Sequence, residues 1–191
     1  MSQTIVEVQN ASKTYLSGDT TVVALQPTNV SFNKGELTLI MGPSGSGKTT
    51  LLSLVGCIIY PTEGDVFLKN SNVTKLSEKE LANIRLNTVG FVFQHFNLLE
   101  PLTALENVMQ PMLLQNISAS EAKERALSAL EKVNLLDRKN NLSKKLSGGQ
   151  KQRILLAKVL AQQTPILFFD EPTTGLHMVY QEEIFRFANE L

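Results

Sequence analysis

The sequence predicts an α/β fold, and three observations support that prediction. Short apolar runs typical of buried strands alternate with segments in which apolar residues recur at helical spacing. One such run, residues 37–41, precedes a glycine-rich loop, and residues 50–55 after that loop have the pattern of a helix. A second run, residues 166–169, ends in two carboxylates. Because α/β sheets bind ligands at the carboxyl ends of their strands, these two places are the first candidates for a functional site.

Length and composition indicate an ordinary globular domain. The chain has 191 residues, of which 42% are hydrophobic and 19% charged, so we expect one domain with a sizeable core. Eighteen basic residues balance eighteen acidic ones, which argues against a general polyanion binder. The single cysteine, Cys57, lies among apolar residues and is expected to be buried. We find no signal-peptide pattern and no apolar run long enough to span a bilayer, so a membrane role would come through a partner.

The glycine-rich loop, residues 42–49, fits the phosphate-binding pattern G-x-x-x-x-G-K-[ST] at every fixed position. Glycines let successive backbone N–H groups turn inward around an anion. Lys48 supplies an ammonium group for the β- and γ-phosphates, and the Thr49 hydroxyl is a ligand for Mg²⁺. The alternative, a chance glycine turn, is the weaker reading between a strand and a helix. The predicted nucleotide-binding residues are Gly42, Pro43, Ser44, Gly45, Ser46, Gly47, Lys48, Thr49 and Thr50.

The segments around this loop predict further strands and a helix. Residues 5–32 have the pattern of short strands separated by turn formers. Tyr15 precedes one such turn, where it would either pack on a sheet, the role favoured by sequence alone, or stack on a purine ring. The capping box Ser77-x-x-Glu80 predicts a helix over residues 78–86. Residues 89–93 then form an apolar run typical of a strand buried on both faces, and Gln94 ends it.

The rest of the chain is mainly helical. Residues 95–147 are expected to form a helical subdomain, with a second capping box at Ser118-x-x-Glu121. A helix is predicted over residues 150–162, and an amphipathic segment over residues 178–191. The apolar face of the helix after Ser118 consists of Ala122, Ala126, Leu127, Leu130 and Val133.

Three polar side chains at strand ends are candidates for catalysis. Asp170 follows an apolar strand and can hold Mg²⁺ directly or through water. Glu171 can accept a proton from an attacking water, and the amide of Gln94 can ligate Mg²⁺ or position water. An exposed acidic pair starting a turn is the alternative for Asp170 and Glu171, and the phosphate-binding loop makes it the minority view.

Residues 146–150, Leu-Ser-Gly-Gly-Gln, predict a second anion site. Serine and paired glycines at a helix N-terminus offer a hydroxyl, unpaired N–H groups and a positive dipole end. One nucleotide needs only one phosphate cradle, so a second makes sense if two chains complete each other's sites. An ordinary glycine-rich helix start is the alternative, and these residues alone do not decide between the two. The predicted residues of this second site are Ser147, Gly148, Gly149 and Gln150.

Together these motifs resemble those of the ATP-binding cassette (ABC) ATPases. The chain has a Walker A at residues 42–49, a Q-loop Gln94, a signature at 146–150, and a Walker B strand ending at Asp170 followed by Glu171. Tyr15 lies where that family has its adenine-stacking aromatic residue. Residues 90–99 and 102–108 are similar to the branch that serves lipoprotein release and macrolide or antimicrobial-peptide export (LolD/MacB-like).

The resemblance implies a fold, a mechanism and partners. The fold would be a P-loop NTPase (RecA-like) core with an N-terminal antiparallel β-subdomain and an inserted helical subdomain, all in one domain over residues 1–191. Two copies would close head to tail around two Mg-ATP, and each signature would contact the γ-phosphate held by the other copy. A membrane permease would convert this motion into transport, which implies a peripheral location on the cytoplasmic side of the cell membrane.

The chain also departs from the family pattern. Residues 175–177, Gly-Leu-His, lack the aspartate usual after the Walker B glutamate. The switch histidine and the family's C-terminal strands are absent, because the sequence ends before them, and neither His95 nor His177 stands in their place. We therefore expect a truncated product with weak ATPase activity. The alternatives are an ATP-binding remnant or regulatory protein with little hydrolysis, and a cassette acting on nucleic acid, which the neutral charge disfavours.

Overall fold

A computed structural model describes residues 3–92 and 97–170. Contacts within the chain divide it into two compact units, Met1–Arg85 and Leu86–Leu191. Among the described residues, no helix combines the length and the apolar character that crossing a membrane requires.

The first unit is built on a four-stranded antiparallel sheet in the order β2-β1-β3-β4. Its strands are β1 (Thr4–Ser17), β2 (Thr20–Asn33), β3 (Glu63–Leu68) and β4 (Ser71–Asn72). The prediction of several short strands before residue 33 was wrong, because β1 and β2 form one long hairpin. The register of this hairpin shifts at bulges, for example between Val8 and Ala11, where Asn10 has φ 48°. Bulges let a strand continue past residues that resemble turn formers.

Two helices complete this unit. Helix α1 (Lys48–Val55) follows the glycine-rich loop as predicted, and its buried residues Leu51, Leu54 and Val55 belong to the apolar core of the unit. Helix α2 (Glu78–Asn87) begins at the predicted capping box. The backbone N–H of Ser77 donates to a carboxylate oxygen of Glu80 at 2.8 Å, and the Glu80 N–H donates to Ser77 Oγ at 3.4 Å.

The strand predicted over residues 37–41 does not form. This segment has no regular structure, and the side chains of Leu37, Leu39 and Met41 are 63%, 70% and 80% exposed. No strand in the described ranges pairs with it. The apolar residues suit a strand, but a strand is stable only when a neighbour pairs with its backbone groups.

In the second unit, two short strands pair in parallel. Strand β5 (Val89–Val92) lies beside β6 (Ile166–Phe169), with Val89 opposite Ile166 and Val92 opposite Phe169. The two apolar runs are therefore strands, as predicted. Burial on both faces is incomplete, because Leu167 and Phe169 of β6 are only half-buried. The predicted end of the first run, Phe93 and Gln94, lies outside the described residues.

Three helices form the main core of the second unit: α3 (Ala104–Leu114), α4 (Ala119–Lys132) and α5 (Gly148–Gln162). Their shared apolar cluster includes Val108 and Met112 of α3, Leu130 of α4 and Ile154 of α5, all buried. The predicted face of α4 is confirmed, with Leu127 half-buried and the others buried. The segment predicted over residues 178–191 lies outside the described residues.

The cap of α4 is only half of the predicted capping box. The Glu121 N–H donates to Ser118 Oγ at 3.2 Å, but the carboxylate of Glu121 pairs with Arg125 instead of reaching back to Ser118. An arginine four residues on competes for that carboxylate because both side chains lie on one helix face.

Candidate nucleotide-binding site

The glycine-rich loop has the backbone conformation of an anion cradle. Gly45 and Gly47 have φ values of 79° and 91°, in the left-handed region that other residues rarely adopt. The Ser46 N–H donates to the Pro43 carbonyl at 3.2 Å, which closes the turn. A Cβ on Gly47 would lie 2.8 Å from the Ala24 carbonyl oxygen. The last glycine of the loop is therefore required both by its conformation and by the close approach of β2.

Lys48 is the first residue of α1, and its ammonium group lies against the loop. Its Nζ donates to the carbonyls of Gly42 and Pro43, both at 2.9 Å. An ammonium has three N–H donors, so one remains for a phosphate oxygen. Lys48 is the only charged residue from residue 37 to residue 62, so its charge has no carboxylate nearby in sequence. The loop, the lysine and the N-terminus of α1 together suit a polyphosphate.

The residues next to Lys48 suit a magnesium-bound triphosphate. Thr49 is exposed and Thr50 half-exposed in the first turn of α1. A hydroxyl oxygen such as that of Thr49 is a hard ligand of the type that Mg²⁺ prefers. In the described part of the chain, no three histidine, cysteine or acidic side chains gather into a metal site.

Tyr15 lies near the end of β1, opposite Val22 of β2. Its side chain is 46% exposed, so it is not buried by sheet packing. Lys13, two residues earlier on the same strand, places its Nζ 5.1 Å from the centre of the Tyr15 ring, and this ammonium also donates to the Tyr60 carbonyl at 2.8 Å. Sequence reasoning missed Lys13, although the two-residue period of a strand puts it on the same face as Tyr15.

The predicted second anion site is a helix N-terminus in the structure. Ser147 is the N-cap of α5, and its Oγ accepts from the Gln150 N–H at 3.3 Å. The side-chain oxygen of Gln150 accepts from the Ser147 N–H at 3.0 Å, which completes a capping box. The helix begins at Gly148 and not at Gln150 as predicted, so both glycines form its first turn. With the Gln150 N–H taken by this cap, the N–H groups of Gly148 and Gly149 have no partner within the helix and are the ones that suit an anion.

Asp170 directly follows β6, as predicted, and is only 6% exposed. Its backbone N–H donates to the Val92 carbonyl at 2.9 Å, which continues the pairing of the two parallel strands. Gln94 and Glu171, the other two candidates, lie outside the described residues.

Comparisons with known proteins now identify the family. Residues 25–174 match the ABC transporter family. The chain belongs to this family. It is an ABC-type ATP-binding cassette, of the ATPase class that serves ABC transporters, as the motifs predicted. Adenine nucleotide is the ligand of this class.

Individual ABC relatives match over nearly the whole chain. MJ0796 of Methanocaldococcus jannaschii, an uncharacterized ABC transporter ATP-binding protein, is 41% identical over 98% of this chain and 81% of its own length. YvrO of Bacillus subtilis, also uncharacterized, is 43% identical over 98% of this chain and 82% of its own. A solved dimeric structure of MJ0796, in a post-hydrolysis state bound to ADP and Pi, superposes with a TM-score of 0.92 at 41% identity. It covers 96% of this chain and 81% of that one.

Proposed function

We propose that this chain binds Mg-ATP through residues 42–50 and works as a pair of cassettes that drive a membrane permease. The observation that supports this most strongly is the loop itself, in which Gly47 has a positive φ with no room for a Cβ, and Lys48 donates to the carbonyls of Gly42 and Pro43. Such a loop binds the phosphates through backbone N–H groups and one ammonium. We propose Tyr15 as the aromatic platform for the adenine base, since its ring is accessible.

The proposed cation site consists of oxygen ligands. Thr49, Asp170 and Gln94 would hold Mg²⁺, directly or through water. When bound, Mg²⁺ neutralises charge on the β- and γ-phosphates of ATP. The position of Asp170 directly after β6 supports this assignment, because α/β sheets bind ligands at the carboxyl ends of their strands.

The second copy would complete each site. The MJ0796 cassette, similar in sequence and fold, is dimeric with ADP and Pi. By analogy, Ser147, Gly148, Gly149 and Gln150 of one copy would contact the γ-phosphate held by the other. The capped N-terminus of α5 supports this, since the N–H groups of Gly148 and Gly149 have no partner within the helix.

Hydrolysis would follow an in-line attack of water on the γ-phosphorus. Glu171 would accept the proton of that water while the bond from phosphorus to the leaving ADP oxygen breaks. Lys48 would stabilise the negative charge on the phosphate oxygens, and Gln94 would orient the water. The products are ADP, inorganic phosphate and the proton taken by Glu171.

The partner that uses this energy would be an integral-membrane permease. We propose a peripheral location on the cytoplasmic side of the cell membrane, and a role in export or in lipoprotein or peptide extrusion. Residues 90–99 and 102–108 support this branch by their similarity to it. No nucleic-acid partner is proposed, because the chain has zero formal net charge.

The experiment that tests this proposal compares nucleotide binding with turnover in the wild-type chain and in Glu171→Gln. Binding is measured with a fluorescent ATP analogue, and turnover by phosphate release. We expect Glu171→Gln to keep the affinity and lose turnover about 100-fold or more, because it removes the general base but no phosphate contact. Equal turnover by the two proteins, at a rate well above background, would exclude Glu171 as the base.

A second candidate function is nucleotide binding with little or no turnover, as in a regulatory cassette. The exposed, unpaired segment 37–41 favours it, because the segment directly precedes the phosphate loop and no strand in the described ranges holds it in a sheet. The comparison of binding and phosphate release in the wild-type chain and Glu171→Gln distinguishes this function from the first. In this case both proteins bind the analogue, and neither releases phosphate above background.

A further inference from the structure

The segment around the signature carries charge of one sign. Between residues 138 and 169 there are seven basic side chains and no carboxylate, although the whole chain has eighteen of each sign. Residues 146–150 lie within this segment, so the signature is flanked by cations on both sides. The seven are Arg138, Lys139, Lys144, Lys145, Lys151, Arg153 and Lys158.

Two of these cations, Lys144 and Lys145, form no ion pair within the described residues. Both are exposed, and within the described residues neither side chain has an ion pair or a hydrogen bond. Arg138 differs, because its guanidinium pairs with the carboxylate of Asp137 at 3.1 Å. No carboxylate of the described chain thus forms an ion pair with Lys144 or Lys145.

The backbone holds this lysine pair in a fixed place. They are the last two residues of the short 3₁₀ helix Ser143–Lys145, and Ser143 is almost completely buried. Ser143 donates from Oγ to the Leu99 carbonyl at 2.9 Å and from its N–H to the Leu102 carbonyl at 3.0 Å. The buried Leu146 then donates to the Ser143 carbonyl at 3.2 Å, directly before the N-cap of α5. Two free ammonium groups therefore stand on an anchored turn next to Ser147.

We infer that Lys144 and Lys145 are positioning residues that draw the signature toward the nucleotide bound on a second copy of this chain. The inference rests on the proposed function. Exposed charges act mainly by attracting an oppositely charged partner, and a bound triphosphate is a polyanion. Without nucleotide, the phosphate loop is positively charged, because Lys48 is the only charged residue from residue 37 to residue 62. The empty loop of one copy would therefore repel the lysine pair of the other. The lysine pair thus makes association depend on bound nucleotide.

The test is the dimer dissociation constant of the full chain with ATP, measured by analytical ultracentrifugation in a Glu171→Gln background that keeps ATP intact. The variant is Lys144→Gln with Lys145→Gln. We expect dimers about tenfold weaker at 50 mM salt, and a difference below about threefold at 500 mM, because salt screens exposed charges. Lys144→Arg with Lys145→Arg should restore the parent value, since it restores the charge.

A matched control removes the same charge elsewhere in the second unit. Lys123 and Lys132 are exposed on α4, and changing both to Gln should leave the dissociation constant unchanged. ATP affinity of the separated chains, measured with a fluorescent analogue, should be equal in all variants, because the proposed loop lies elsewhere in sequence.

Each result decides between the two proposals. Three results would overturn the lysine inference alone. In the first, the Lys144→Gln, Lys145→Gln variant dimerises as well as the parent at low salt. In the others, the control is equally weakened, or high salt does not reduce the difference. A parent chain that binds ATP but forms no dimer would overturn the shared site of the proposed function, and the lysine inference with it.

Discussion

At the scale of single residues, the phosphate loop depends on backbone geometry that few side chains allow. Gly45 and Gly47 both have positive φ, but only a Cβ on Gly47 would collide with a neighbouring backbone atom. The motif in the sequence identified both glycines. It did not show which of them is constrained by contact, since that contact comes from Ala24, more than twenty residues earlier.

This difference gives a prediction with an internal control. Gly47→Ala should lower the free energy of unfolding by about 2–3 kcal/mol, because strain at positive φ adds to the contact with the Ala24 carbonyl. Gly45→Ala should cost only about 1 kcal/mol, since nothing lies within 4 Å of its Cβ. Urea denaturation of the two variants measures both values. Equal costs would contradict the steric role of Ala24.

Cys57 gives a second prediction at this scale. Burial raises the pKa of its thiol to about 11, against the weaker opposing effect of the nearby Arg85 cation. The folded chain should therefore resist iodoacetamide at pH 8 and react once urea unfolds it, which mass spectrometry detects. The neutral thiol favours the folded state below pH about 9, and this contribution is lost as the pH rises through about 11. Labelling at equal rates with and without urea would show that the thiol is accessible.

At the scale of elements, structure that depends on residues close in sequence was predicted correctly, whereas structure that depends on a distant partner strand was not. The Ser77 capping box, the face of α4 and the strand β6 depend on residues close in sequence, and all three were predicted. The segment 37–41 has the composition of a buried strand, but its structure depends on a partner strand that composition cannot supply. The N-terminus of α5 was placed two residues late because glycine is a poor helix former, whereas the Ser147 cap starts the helix earlier.

The exposed segment therefore differs from a core element in its effect on stability. Leu39→Ser should change the free energy of unfolding by less than about 0.5 kcal/mol, because the side chain is 70% exposed. Leu54→Ala, in the buried face of α1, should cost about 2–5 kcal/mol through the cavity it leaves. Urea denaturation again provides the measurement. A large loss for Leu39→Ser would show that the segment is packed in solution.

At the scale of the whole molecule, membership of the ABC family agrees with the motifs read from the sequence. The phosphate loop lies in the unit Met1–Arg85, and the signature and Asp170 lie in the unit Leu86–Leu191. Each motif was predicted from its own few residues. The pairing of two copies around nucleotide was expected only from the resemblance to the family, because no single motif encodes it.

The central claim is that this cassette binds nucleotide through the phosphate loop, and titration with a fluorescent ATP analogue tests it most directly. Lys48→Ala removes the ammonium next to the Gly42 and Pro43 carbonyls. Lys34→Ala is the matched control, an exposed lysine of the same unit outside the loop. We predict that the wild-type chain and the control bind alike and that Lys48→Ala binds about 10- to 100-fold more weakly, as expected for loss of a charged hydrogen bond to phosphate. Equal binding by Lys48→Ala and the wild-type chain, or no binding by the wild-type chain, would contradict this account.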